Sequence, residues 1–130
     1  MNKNEKGENT LDTANQIIDI MGLYERVAGD EELLQEIIEL FLEDVDGYLD
    51  NIKRAIEDKD PNELQKNALT LKGAVDTFAA EPAKQAAFQL EKIGRKGKIE
   101  DGTMSYYNEL KTQIDLLVAK LKEMSTAEQS

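Results

Sequence analysis

The residues best placed to do chemistry lie in the stretch Lys66-Asn67-Ala68-Leu69-Thr70-Leu71-Lys72-Gly73-Ala74-Val75-Asp76-Thr77-Phe78. Leu64, Ala68, Leu71, Val75 and Phe78 recur at steps of four, three, four and three, which is one apolar stripe of an α-helix. At 100° per residue, Leu69 falls about 140° from the centre of that stripe. It is therefore expected to look outward, together with Gln65, Lys72, Gly73 and Asp76. A leucine and a mid-helix glycine are both unusual on such a face. The glycine costs roughly 1 kcal/mol relative to alanine, and its missing side chain points to something that must approach the helix closely.

This pattern resembles the histidine-containing phosphotransfer (Hpt) family of phosphorelays. The family's signature is an outward histidine, with lysine three and glycine four residues later, on a helix of a four-helix bundle. Ala68, Thr70, Leu71, Lys72, Gly73 and Ala74 stand as that motif would have them, over a resemblance running from about Leu23 to Met124. Leu69 occupies the phospho-accepting position. A histidine there would attack an aspartyl-phosphate of a receiver domain and hold the group as a phosphoramidate. Lys72, one turn on, would neutralise the phosphoryl oxygens, and Gly73 would give the receiver's loops room.

Leucine offers neither lone pair nor proton, and the chain contains no histidine to take over. Transfer through a phosphohistidine is chemically excluded for this sequence. Three explanations stay open for Leu69: an acceptor removed by design, a natural degenerate family member, or an ordinary surface leucine on an unrelated bundle. In the first two, Leu69 would sit at the centre of an apolar docking patch rimmed by Gln65, Lys72 and Asp76.

Other chemistries find little support. With no histidine and no cysteine, the commonest general base is missing, and so are disulfides and thiolate or imidazole metal sites. Di-iron bundles need Glu-x-x-His pairs. Asp58-Lys59-Asp60-Pro61 lacks the glycine and closing glutamate of a calcium loop. Glu32, Glu36, Glu39 and Glu43 follow one helix and read as a solvated face. The basic stretch Gly94-Arg95-Lys96-Gly97-Lys98 is too short for a phosphate cradle and reads as an interhelix connection. The expectation is no enzyme, no cofactor and no metal. A net charge of −11, from 27 acidic and 16 basic side chains, disfavours nucleic acid and anionic membrane as partners.

The elements that must position this face follow from caps and stripes. Residues 1–10 lack periodicity and read as a disordered tail. Asp12 or Thr13 is expected to cap a short first helix carrying Ile17, Ile18, Met21, Leu23, Tyr24 and Val27, with Gly22 a candidate break and Gly29 its end. Asp30 should cap a long helix to about Asp58, with Leu34, Ile37, Ile38, Phe41, Val45, Tyr48, Leu49, Ile52 and Ile56 on one stripe. Asp60-Pro61-Asn62-Glu63 is a strong start for the central helix, which should end near Ala80. Pro82 opens a helix with a small-residue face of Ala83, Ala86, Ala87, Leu90 and Gly94, while Phe88 falls off that face. Gly102-Thr103 opens the last helix, with Tyr107, Leu110, Ile114, Leu117, Leu121 and Met124 as its seam.

Seven aromatics, four tyrosines and three phenylalanines, and an Ala/Leu/Glu/Lys-rich chain point to an all-α fold. The expected architecture is an antiparallel up-down four-helix bundle with an additional short N-terminal helix, one domain over residues 11–125 and a polar tail over 126–130. The resemblance implies a phosphorelay module that docks a response-regulator receiver domain, a hybrid sensor kinase, or both. A cytoplasmic monomer is expected. The alternative is an adaptor bundle that scaffolds partners through helix faces.

Overall fold

The computed structural model describes residues 16–129, so the tail over residues 1–10 and the caps sought at Asp12 and Thr13 lie outside the described residues. Among the described residues five helices follow one another, with no strand: α1 (Ile20–Arg26), α2 (Glu31–Glu57), α3 (Pro61–Asp76), α4 (Glu81–Lys96) and α5 (Thr103–Gln129). The connections after α2 and α3 are a few residues long, so consecutive long helices run antiparallel. α2 packs on α3 and α5, and α4 packs on α3 and α5, which closes the four long helices into a ring. The bundle expected from the stripes is the one observed.

Aspartate begins three of these helices. The carboxylates of Asp19, Asp30 and Asp60 accept from the backbone N–H of Gly22, Leu33 and Glu63 at 3.1, 3.0 and 3.1 Å, each satisfying a donor that a helix start leaves open. Asp30 and Asp60 act as their positions in the sequence require. α1 begins later than expected because Asp19 caps it, leaving Ile17 and Ile18 ahead of the helix. Ile18 is nonetheless buried, and Gly22 lies within α1 rather than breaking it. Met21, expected on the apolar side of α1, is instead 78 % exposed.

α1, α2 and α3 end alike. Ala28, Lys59 and Ala79 take positive φ of 56°, 54° and 55°, and the next residue's N–H reaches back five positions: Gly29 to Tyr24, Asp60 to Ala55, Ala80 to Val75. This is the Schellman closure without its usual glycine. It ends α3 at Asp76, earlier than Ala80. Gly94, Arg95 and Lys96 form the last turn of α4 rather than a loop; Gly97, at φ 83°, provides the left-handed cap. α5 runs to Gln129, into the stretch read as a C-terminal tail.

The predicted stripes make the core. Leu34, Ile38, Ile52, Leu64, Leu71, Leu90, Leu110, Ile114, Leu117 and Leu121 are almost wholly removed from solvent. Phe41 of α2 meets Phe78, just past α3, edge to face at 5.3 Å between centroids.

The closest approach in the bundle is between α3 and α4. The face of Ala83, Ala86, Ala87, Leu90 and Gly94 is buried, and a Cβ added at Gly94 would sit 2.5 Å from the Gln65 nitrogen and 2.7 Å from the Pro61 oxygen. Those atoms are backbone and cannot swing aside. A Cβ at Gly73 would meet nothing within 4 Å. Gly94→Ala should therefore destabilise the bundle by about 1–3 kcal/mol or more, whereas Gly73→Ala should be neutral or stabilise it by up to about 1 kcal/mol. Urea titration of both variants, followed by circular dichroism, checks the contrast.

Candidate functional site

α3 carries the residues singled out in the sequence, and the structure divides them into two groups. Leu69 is 48 % exposed and Gly73 is open to solvent, so the outward placement of these two is as the stripe requires. Gln65, Lys72 and Asp76 are only half-exposed. They lie toward α4, where the two helices form a polar seam beside the apolar one.

That seam is read from one helix to the other in antiparallel register. The Asp76 carboxylate lies 3.4 Å from Lys84 of α4 and 3.6 Å from Arg26 of α1. Lys72 reaches Glu91, its Nζ 2.7 Å from Oε1, and lies over the Phe88 ring at 4.8 Å from the centroid. The backbone of Gln65 abuts Gly94. Lys84, Phe88, Glu91 and Arg95 stand at i, i+4, i+7 and i+11 on α4, a single row facing α3.

Glu91 is the hub of the seam. Only 4 % of it is exposed, and a buried carboxylate must be paired or it loses its charge. Here it has two cations. The Arg95 guanidinium donates to Oε2 at 2.6 Å, while Oε1, sealed from solvent and without an aligned hydrogen bond, faces the Lys72 ammonium. Burial pushes the Glu91 carboxyl up, but the contacts with Lys72 and Arg95 together pull harder and leave it below the ordinary 4.5. A second lysine, Lys92, also lies 4.8 Å from the Phe88 centroid.

Sequence reasoning set Phe88 aside as an off-face aromatic and passed over Glu91 altogether. The available signal was an acid next to the buried face of Ala87, Leu90 and Gly94, with an arginine four residues on. Its inter-helix partner could not be read from either helix alone.

On the other side of Leu69 and Gly73, α3 borders α2. Ile37, Leu40, Phe41, Asp44, Tyr48, Ala74, Thr77 and Phe78 line an open, mainly apolar groove of about 260 Å³. Leu40 is 58 % exposed at its edge. Gly47 lies on the same helix near this groove and, like Gly73, has open space where a Cβ would be. The outward surface thus runs from an apolar groove, through Leu69 and Gly73, to a charged seam. No group of acids able to hold a metal ion occurs among the described residues, and no described helix is long and apolar enough to cross a membrane.

The closed four-helix bundle thus leaves Gly73 on the outer side of its second long helix and turns the neighbouring Lys72 toward α4. A family model of the Hpt domain matches residues 36–123, and the chain belongs to this family, whose members are phosphotransfer modules of phosphorelays. Comparison with curated proteins and with solved structures finds no match.

The lowered Glu91 carboxyl sets a pH window. Its contribution to stability is fully present above the unfolded value of about 4.5 and is lost as pH falls through the lower folded value. Urea midpoints measured from pH 6 down to pH 3 should therefore fall less steeply in Glu91→Gln than in the unaltered chain.

Proposed function

We propose that this Hpt module docks a response-regulator receiver domain through the outward face centred on Leu69 and does not itself carry phosphate. Leu69 stands where the family's histidine would be, and the absence of histidine from the whole chain leaves no substitute acceptor. The observation that carries the reading is the exposure of Leu69 beside the open backbone of Gly73. An apolar side chain at 48 % exposure, on the helix that borders the α2–α3 groove and rimmed by Gln65, Lys72 and Asp76, has the composition of an interface: an apolar centre and a polar edge. Gly73 and Gly47 leave the backbone approachable, so a second surface can lie close on both helices.

In this reading Lys72 is the group that would meet a phosphoryl oxygen, and Gly73 provides clearance for the receiver's loops. The receiver is the principal partner, and a hybrid sensor kinase would present its own receiver to the same face. The module would hold or sequester a receiver without draining its phosphate, since docking needs the surface and transfer needs the missing imidazole.

Two substitutions at one position test this. Leu69→Asp should weaken binding of a cognate receiver at least about tenfold in calorimetry, because a carboxylate would have to be desolvated at the centre of the patch. Unchanged affinity would put docking elsewhere and favour an adaptor bundle. Leu69→His, incubated with the phosphorylated receiver, should gain acid-labile, base-stable phosphate, while the unaltered chain gains none.

A further inference from the structure

Lys72 is not a free lysine on a solvent face. Its ammonium is drawn across to α4, between a carboxylate oxygen at 2.7 Å and an aromatic face at 4.8 Å, and its side chain is only 24 % exposed. Lys66, six residues earlier on the same helix, is 70 % exposed and meets only Glu63 on its own helix, at 3.4 Å. What distinguishes the two is Glu91.

Glu91 requires one cation and has two. The Arg95 bond is made within one helix, four residues apart, and half of the arginine is in solvent. The Lys72 bond is the inter-helix one. If Lys72 swung outward, Oε2 would keep its hydrogen bond to Arg95, so the buried carboxylate would not be left as an unpaired charge, the outcome that makes breaking a buried pair so costly. Arg95 thus makes Lys72 the exchangeable partner. Lys72 and Arg95 both contact Glu91, and Lys72 and Lys92 both lie over the Phe88 ring, so positive charge gathers here in a strongly acidic chain.

We propose that Glu91 is a positioning residue for Lys72: an internal counter-anion that holds the ammonium at the α3–α4 seam and yields it to an external anion, with Arg95 remaining behind to neutralise the carboxylate. The external anion is a phosphoryl or carboxylate group on a partner seated over Leu69, and that part rests on the docking function proposed above. The holding of Lys72 by Glu91 does not.

The test needs no partner. Acylation of lysines in the whole folded chain by a water-soluble succinimidyl acetate, quantified by peptide mass spectrometry, reads the availability of each amine, with Lys66 as the internal reference. Lys72 should react more slowly than Lys66 in the unaltered chain. Glu91→Gln should raise the Lys72 rate about tenfold or more, the scale expected from losing one charge-assisted contact, with Lys66 unchanged. Arg95→Gln should do the opposite, slowing Lys72 because Glu91 then depends on it alone. A merely structural Glu91 would loosen the seam in both variants and speed Lys72 in both. Equal rates for Lys72 and Lys66 in the unaltered chain, or a faster Lys72 in Arg95→Gln, would overturn the proposal. If Lys72 responds as expected while Leu69→Asp leaves receiver binding untouched, the docking reading fails and the role of Glu91 stands.

Discussion

The close approach of α3 and α4 is the constraint on which the rest of the molecule depends. It exists because α4 presents alanines, a leucine and Gly94 to its neighbour, and because Gly94 has no Cβ to strike the backbone of Pro61 and Gln65. At this separation the long side chains flanking the contact can bridge from one helix to the other. Lys72 can reach Glu91, Lys84 can reach Asp76, and Phe88 can lie beneath an ammonium. A bulkier face on α4 would set the helices further apart and dissolve the seam into separately solvated charges. The small residues and the charged row are therefore two aspects of a single packing decision.

The two helical glycines of the hairpin, Gly73 and Gly94, consequently have opposite roles. Gly94 faces inward and makes room for the protein's own backbone. Gly73 faces outward, and nothing among the described residues needs the room it leaves. A helix weakened at an exposed position without internal benefit is a local conflict of the kind that natural sequences concentrate at functional surfaces. The conflict is shared by Leu69, an apolar side chain turned to water one turn earlier.

Much of this was legible in the sequence. The stripes of α2, α3 and α5 needed only the helical period, and Asp30, Asp60 and Pro61 announced their helix starts through simple hydrogen-bonding chemistry. The small-residue face of α4 was also readable as a close-packing surface. The start of α1 was not, because several polar residues could have served as its cap and only the fold selects Asp19. The end of α2 was readable to within a residue from the Asp60-Pro61 start that follows it, whereas the end of α3 was blurred because its left-handed position falls on Ala79, a residue with no preference for that conformation. On the candidate site, periodicity placed Leu69 and Gly73 outward, but it treated Gln65, Lys72 and Asp76 as equally exposed. Their true surroundings depend on side chains from α4, and an angle measured around one helix carries no information about what the next helix brings.

Asp76 joins parts of the chain that are otherwise separate. Its carboxylate is shared between Arg26 of α1 and Lys84 of α4, while the backbone N–H of Asp19 bonds the Ala79 carbonyl at 2.9 Å. The short first helix is thereby clasped to the far end of the helix that bears Leu69, by one backbone bond and one solvent-screened charge contact in addition to its buried Leu23. Dissolved salt weakens only the charged half of that clasp. This short helix thus has an ionic-strength-dependent grip on the bundle, whereas the grip of α4 on α3 rests first on contact between backbones, which dissolved ions do not screen.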